Sequence, residues 1–236
     1  MLTFGLLSPG KGIEYVIRAL PEITKRHPNL VYIVLGVTHP NQVRTDGERY
    51  RQSLERLAED LGMKDHVAFY NRFVQLKELK EFIGAADIYI TPYLNDAQIT
   101  SGTLCYAFGC GKCVISTPYW HAEELLADDR GVLVPFEDSE AIAKEVTALL
   151  DDETRLDAMR KRAYLLGRES TWSQTAHHYF ETFRQARTDH GLHHAPKFTL
   201  ETVAEKRLEL PELKLDHLES LTDSTGIFQH AVYAMP

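Results

Sequence analysis

Short apolar runs alternate with amphipathic stretches from the first residues to about residue 150, and this alternation constrains the fold more than any other feature. The runs LVYIVLG (30–36), HVAFY (66–70) and CVIST (113–117) are apolar nearly throughout, which is typical of strands buried on both faces. Between the runs, apolar residues recur at the helical spacing of three and four, as at Ile13, Val16, Ile17, Leu20 and Ile23. The pattern predicts an α/β fold with a doubly wound parallel sheet of the Rossmann-like type.

The doubly wound domain is predicted to span residues 1–187, with two helices at about 152–167 and 171–187 as a C-terminal helical extension. The composition then changes at TDHGLHHAPK, and residues 188–208 are interpreted as a linker. Residues 209–236 are interpreted as the truncated start of a further segment or domain. Because a core strand already begins near the first residue, we expect the chain to be an internal piece of a longer protein.

The composition disfavours several classes of partner. A formal net charge of −8 argues against nucleic acid and membrane surfaces as general partners, since both require basic surface. No apolar stretch approaches the roughly 20 residues that a transmembrane helix needs, and the N-terminus lacks the basic region of a secretion signal. The three cysteines cannot all pair, which suits a reducing compartment. We therefore predict a cytoplasmic protein without a transmembrane segment.

The cysteines Cys105, Cys110 and Cys113 have the spacing C-x4-C-x2-C, which occurs in iron–sulfur proteins, and CGKC is similar to a thioredoxin-like redox pair. An iron–sulfur cluster needs a fourth cysteine, which the chain lacks. A redox pair is expected at a helix N-terminus after a strand, whereas these residues stand between a predicted helix and the strand that follows it. The three cysteines are therefore interpreted as small buried residues.

The stretch GLLSPGKG (5–12), which we call the first loop, nearly matches the G-x-x-x-x-G-K-[S/T] loop that binds nucleoside triphosphates. Gly12 stands where that loop requires a hydroxyl group to hold magnesium. A phosphotransferase is therefore the weakest alternative, and Lys11 is predicted to contact a different kind of phosphate.

A second stretch, PYLNDAQITSG (92–102), leads directly into a predicted helix that begins at about Ser101, and we call its residues 92–101 the second loop. Free N–H groups and the positive dipole end of such a helix attract phosphate at Ser101, Gly102 and Thr103. Ligands of doubly wound sheets bind beyond the carboxyl ends of the strands, so we expect both loops at one site. The alternative is that Ser101 only caps its helix and that Lys11 is solvated.

The order of the motifs resembles the nucleotide-sugar-binding half of the family 4 glycosyltransferases, over about residues 2–150. The motifs that carry the resemblance are FGLLSPGKGIEYVIRALPEI, LVYIVLG, HVAFYNRF, ELKEFIGAADIYITPY, AFGCGKCVIST and HAEELLADDRGVLVP. The resemblance implies one half of a GT-B fold, in which two Rossmann-like domains face each other across the active site. The chain would bind the donor, and its partner would be the missing N-terminal Rossmann-like domain.

The resemblance also implies an activity. A hexose would pass from a nucleotide diphosphate sugar to a carbohydrate or other hydroxyl acceptor, with the anomeric configuration retained and without a required metal or other cofactor. In the family, the first loop carries an arginine and a lysine on the donor diphosphate. Lys11 and Gly12 match this pattern, Gly10 beside them is assigned to the donor site, and Leu6 replaces the arginine.

Two glutamates of the family contact the donor sugar and the ribose, and their positions fall on Gln98 and Tyr106. Gln98 can still form a hydrogen bond with a sugar hydroxyl, and we predict that it acts in catalysis together with Lys11. Tyr106 is predicted to contact the nucleoside. The missing acids leave two alternatives open: a non-catalytic nucleotide-sugar-binding module and, less favoured, a nucleotide-sugar 2-epimerase.

Three further residues are assigned to the donor site by the resemblance. Glu123 matches a family glutamate at the start of the helix after the fifth strand, and Arg72 and Phe73 follow the third strand, where the base pocket lies in relatives. The neighbouring His121 is interpreted as a surface or packing residue rather than a residue that faces the cleft.

Overall fold

The computed structural model describes residues 1–193, and these contain one six-stranded parallel sheet. Its strands are β1 (Leu2–Phe4), β2 (Tyr32–Leu35), β3 (Val67–Tyr70), β4 (Ile88–Thr91), β5 (Cys113–Ser116) and β6 (Val132–Leu133). They lie in the order β3-β2-β1-β4-β5-β6, and each adjacent pair is parallel. In this Rossmann order the winding reverses between β1 and β4. The predicted doubly wound α/β fold is confirmed.

Helices cover both faces of the sheet. Within the described residues they are α1 (Ile13–Arg26), α2 (Pro40–Asp46), α3 (Arg49–Asp60), α4 (Leu76–Ala85), α5 (Gly102–Gly109), α6 (Trp120–Leu126), α7 (Ser139–Asp151), α8 (Glu153–Glu169) and α9 (Trp172–His193). Buried residues of α1, α3 and α7 pack with Ile88 and Ile90 of β4, whereas those of α4, α5 and α6 pack with Tyr89. Successive residues of β4 thus enter opposite layers, which explains why Ile88, Tyr89 and Ile90 are all apolar.

Helix α2 was not predicted, and its local sequence explains why. It begins at Pro40 after His39, whose Nδ1 accepts the Asn41 N–H at 3.1 Å. The cap is therefore a histidine rather than Ser, Thr, Asp or Asn. No residue of α2 is buried, so no apolar spacing marks the helix in the sequence.

The C-terminal helical extension is also present. Residues Met1–Phe183 form one compact unit, and a second unit begins at Arg184. Helix α9 continues past its predicted end at residue 187, because no proline interrupts the chain before Pro196. The rest of the predicted linker 188–208, and the predicted segment 209–236, lie outside the described residues. No helix within residues 1–193 is long and apolar enough to cross a membrane.

The cysteines differ from one another in burial. Cys113 is buried in β5, but Cys105 and Cys110 are exposed, so the prediction of three buried cysteines is wrong for two of them. The buried side of α5 consists of Leu104, Ala107 and Phe108, and this spacing turns Cys105 to the opposite side of the helix.

Candidate functional site

The two loops meet where the winding of the sheet reverses. β1 and β4 are neighbours in the sheet, so the first loop and the second loop leave it at adjacent carboxyl ends. The carbonyl oxygen of Gly10 accepts the N–H of Leu94 at 3.0 Å. This contact brings together the two segments that the sequence singled out, at the place where doubly wound sheets bind ligands.

Gly12 determines how closely the two loops approach each other. Its φ of 63° lies in the left-handed region, between the short helical turn Pro9–Lys11 and the start of α1. A Cβ atom at this position would overlap the carbonyl oxygen of Pro92 in the second loop. Packing therefore excludes any side chain, which accounts for the missing hydroxyl of the triphosphate-binding pattern.

Lys11 reaches the second loop through an aromatic ring. Its Nζ atom lies 3.7 Å from the centroid of the Tyr93 ring, a cation–π contact. The Tyr93 hydroxyl in turn lies 2.8 Å from Oγ1 of Thr103 in the first turn of α5. Since Tyr93 is only 1% exposed, one buried side chain joins the ammonium group of Lys11 to the start of α5.

The pKa of the Tyr93 phenol reflects the positive field between Lys11 and the start of α5. Burial alone would raise its pKa, but the charge of Lys11 and the hydrogen bond with Thr103 act in the opposite direction. The pKa of Tyr93 lies below the ordinary value of a tyrosine as a result. The same positive field would act on an anion bound beside Thr103.

The first turn of α5, Ser101–Leu104, is called the α5 tip here. An α-helix leaves its first four N–H groups without an acceptor in the helix. At the α5 tip, the Ser101 N–H donates to Nδ1 of His121 at 2.9 Å, and the Leu104 N–H donates to Oγ of Ser101 at 3.3 Å. None of the described residues supplies an acceptor to the N–H groups of Gly102 and Thr103, which leaves these two for a ligand.

A cleft of about 460 Å³ opens at the α5 tip. We call the part of its lining formed by Gly102 and Thr103 the polar wall, and the part formed by apolar side chains the apolar wall. The apolar wall consists of Phe4, Leu6, Leu35, Val37, Phe73, Val74, Leu76 and Leu79. Arg72 and Tyr106 also line the cleft. Five of the predicted donor contacts, namely Arg72, Phe73, Gly102, Thr103 and Tyr106, thus line a single cavity.

Arg72, which lines the cleft, and Lys11, which lies outside its lining, differ in their surroundings. The Arg72 guanidinium donates to Glu78 at 2.9 Å, so a carboxylate already neutralises its charge. Among residues 1–193, no carboxylate forms an ion pair with Lys11. The same residues hold no cluster of three or more His, Cys, Asp or Glu side chains placed for a metal ion.

The remaining predicted contacts lie outside the lining of the cleft. Gln98 donates its side-chain N–H to the carbonyl oxygen of Thr100 at 3.1 Å, within the second loop. Glu123 is exposed in the first turn of α6, and Gly10 is exposed in the first loop. Ser101 is buried and its hydroxyl caps α5, as its alternative role predicted. The contacts of these residues with a ligand stay predictions.

Two residues of the site were missed by sequence reasoning. Tyr93 was included in the second loop without a role for its side chain, although its position just past β4 places it at the ligand-binding edge. His121 was interpreted as a packing residue, and the structure shows its imidazole on the Ser101 N–H at the α5 tip. The position of His121 at the start of the helix after β5 was the available signal.

Comparison with known proteins decides the family. The sequence model of the family described as "Glycosyl transferases group 1" matches residues 1–166. The chain belongs to this family. A GDP-mannose-dependent alpha-(1-6)-phosphatidylinositol monomannoside mannosyltransferase of Mycolicibacterium smegmatis is 31% identical over 159 residues, which are 65% of this chain and 39% of the relative.

A second group 1 relative has a similar name. The GDP-mannose-dependent monoacylated alpha-(1-6)-phosphatidylinositol monomannoside mannosyltransferase of Corynebacterium glutamicum is 27% identical over 174 residues, 71% of this chain and 42% of the relative. The chain therefore spans about two fifths of the length of these curated relatives.

Solved structures share the fold of the chain. The C-terminal domain of the group 1 glycosyl transferase LpcC from Francisella tularensis has a TM-score of 0.61 at 20% identity, and the match covers 72% of this chain and 83% of that domain. Anabaena Alr3699/HepE in complex with UDP has a TM-score of 0.67 at 19% identity, and the match covers 78% of this chain and 48% of that chain. The likeness to these two structures confirms the Rossmann-like fold.

Proposed function

We propose that the chain binds a nucleotide diphosphate sugar, as the donor-binding half of a hexosyltransferase that retains the anomeric configuration. The observation that carries this proposal is the pair of N–H groups at Gly102 and Thr103, which line a cleft near the ammonium group of Lys11. Helix N-termini and lysine bind the negative charge of a diphosphate. Membership of the group 1 family, and relatives named for GDP-mannose dependence, support this class of donor.

The two walls of the cleft suit the two parts of such a donor. The diphosphate would lie against the polar wall, and the nucleoside would lie along the apolar wall. Phe73 and Tyr106 offer aromatic rings there for contact with the base and the ribose. The sugar would then extend toward the second loop, where Gln98 is predicted to bind one of its hydroxyl groups.

Transfer breaks the bond between the anomeric carbon and a diphosphate oxygen, so negative charge grows on the leaving group. The N–H groups of the polar wall and the ammonium of Lys11 stabilise that charge more strongly in the transition state than in the ground state. This account requires no metal ion, because amides and Lys11 supply the positive field. We propose that a facing Rossmann-like domain holds the acceptor, a carbohydrate or other hydroxyl compound.

A binding experiment tests the proposal. Calorimetric titration with UDP, GDP, UDP-glucose and GDP-mannose should show saturable binding of at least one of them, with a matching rise in melting temperature. Removing one charged partner by Lys11→Ala should weaken that binding about tenfold. Lys64→Ala is the control, because this lysine pairs with Glu59 before β3, at the amino end of the strands. Binding of none of the four ligands, or unchanged affinity in Lys11→Ala, would contradict the proposal.

A non-catalytic nucleotide-sugar-binding module is the second candidate function. It is favoured by the side chain of Gln98, whose amide is engaged by Thr100 within its own loop. The discriminating experiment compares sugar transfer by the full-length protein and its Gln98→Glu variant. A gain in rate for the variant indicates a weakened enzyme. Donor binding without transfer by either protein indicates a binding module.

A further inference from the structure

His121, in the first turn of α6, forms two hydrogen bonds with the second loop. Its Nδ1 accepts the Ser101 N–H at 2.9 Å, and its own backbone N–H donates to the carbonyl oxygen of Gln98 at 3.3 Å. The preceding residue continues this contact, because the Trp120 N–H donates to the carbonyl oxygen of Asp96 at 3.0 Å. Two successive residues of α6 thus hold the segment that leads into the α5 tip.

The side chain of His121 is the part of this contact that reaches the α5 tip itself. Of the four N–H groups there, the Leu104 N–H is satisfied from within the tip, by Oγ of Ser101. Within residues 1–193, the acceptor of the Ser101 N–H is the imidazole of another helix. The direction of the next two N–H groups, those of Gly102 and Thr103, therefore depends on where α6 holds that imidazole.

We infer that His121 is a positioning residue for the diphosphate site, and that it holds the α5 tip in its binding geometry only when its imidazole is neutral. The inference rests on the proposed function and adds a pH dependence to the same site. A ring nitrogen accepts a hydrogen bond only when it carries no proton, so Nδ1 must be bare and the proton must lie on Nε2. Protonation of Nδ1 would place two donors face to face and leave the Ser101 N–H without its acceptor.

The groups around His121 determine where it titrates. Burial lowers the pKa of His121, and the nearby Glu124 carboxylate on α6 acts in the opposite direction. On the α5 side, Sγ of Cys105 lies 3.9 Å from Nε2, and partial burial of this thiol raises its pKa, so it carries no charge at neutral pH.

The direction of the pH effect follows from these pKa shifts. A lowered folded-state pKa means that the neutral imidazole is favoured in the native state. The contact is complete above the ordinary histidine pKa of about 6.5, and it is lost as the pH falls through the lowered value. We therefore expect nucleotide binding to weaken in acid.

The experiment measures UDP and GDP affinity from about pH 8 to pH 5 for the wild type, His121→Asn and His121→Ala. The Asn side-chain oxygen can take the place of Nδ1 but does not titrate in this range. At pH 8 the wild type and His121→Asn should bind alike, and His121→Ala should bind about tenfold more weakly. As the pH falls toward 5, the wild type should lose affinity relative to His121→Asn, in the direction of the level of His121→Ala. The ratio of wild type to His121→Asn at each pH removes the effect of protonation of the ligand phosphate itself.

Identical pH profiles for the wild type and His121→Asn, or undiminished affinity in His121→Ala, would overturn the inference. Absence of nucleotide binding by the wild type at pH 8 would instead contradict the proposed function. In that case, nuclear magnetic resonance of the ligand-free wild type still tests whether His121 positions the α5 tip. The Ser101 amide resonance should shift with the same midpoint as the His121 imidazole, and a Ser101 resonance that does not respond would overturn the positioning role.

Discussion

The polar and apolar walls of the cleft are built in different ways. The buried side chain of Tyr93 supports the polar wall through the hydrogen bond between its hydroxyl and that of Thr103. The apolar wall includes side chains that few neighbours constrain, since Phe73 is 74% exposed and Leu76 is 51% exposed. A preorganised wall suits the proposed diphosphate, because the position of its charge affects the transfer reaction. An adaptable wall suits the nucleotide base, whose binding depends on the contact area that it buries. Changes to the buried support of the polar wall should therefore affect stability and binding together, and changes to the exposed side chains of the apolar wall should affect binding alone.

The largest effect is expected from Gly12→Ala, which acts on the support of the polar wall. A left-handed φ and overlap with the Pro92 carbonyl oxygen combine at this position. We expect the free energy of unfolding to fall by about 3 kcal/mol, measured by urea denaturation. Gly10→Ala is the matched control, because a Cβ there meets no atom within 4 Å. Equal losses in both variants would show that the close approach of the loops is unimportant.

A smaller loss is expected from Thr103→Val, which removes a hydroxyl from the polar wall. The Tyr93 hydroxyl, in a side chain that is 1% exposed, would lose its 2.8 Å partner. The cost of an unsatisfied buried hydroxyl predicts a loss of about 1.5 kcal/mol in the free energy of unfolding, with weaker nucleotide binding. Thr100→Val, at an exposed position of the second loop, should leave both quantities unchanged. A stable Thr103→Val protein would mean that the polar wall is not preorganised.

The smallest effect on stability is expected at the apolar wall, for Phe73→Ala. Because this ring is so exposed, the free energy of unfolding should change by less than about 0.5 kcal/mol. Loss of a stacking surface should nevertheless weaken UDP or GDP binding about fivefold, measured by calorimetry. Phe180→Ala on α9, with a ring that is 64% exposed, is the control and should leave binding unchanged. A marked loss of stability in Phe73→Ala would remove the contrast between the walls.

Local sequence patterns were sufficient to predict most of the fold and part of the site. The spacing of Ile13, Val16, Ile17, Leu20 and Ile23 predicted α1, and all five residues are buried. Apolar strands and the winding rule placed the two loops at one edge of the sheet, and the structure joins them through Gly10 and Leu94. The spacing of apolar residues and the composition of a segment depend on a few neighbouring residues, which is why they predict individual helices and strands.

Contacts between distant residues account for what the sequence did not reveal. Nothing near Tyr93 in the sequence indicates that Lys11 will lie on its ring. Nothing near His121 indicates that it accepts the Ser101 N–H, because that pairing depends on where α6 packs. Both residues were visible as candidates only through their position, Tyr93 just past β4 and His121 at the start of the helix after β5, and tertiary packing decided their roles.

The central claim is that free N–H groups at the α5 tip hold the diphosphate, and Gly102→Pro tests it most directly. Proline is favoured at the first position of a helix, and Ser101 at φ −130° and ψ 106° already has a conformation that suits the residue before proline. The substitution therefore removes one N–H while α5 remains formed, and Gly102→Ala controls for the added carbon, which enters open space. We predict that Gly102→Pro binds UDP or GDP about tenfold more weakly than Gly102→Ala in calorimetric titration. Equal affinities of the two folded variants would contradict the account.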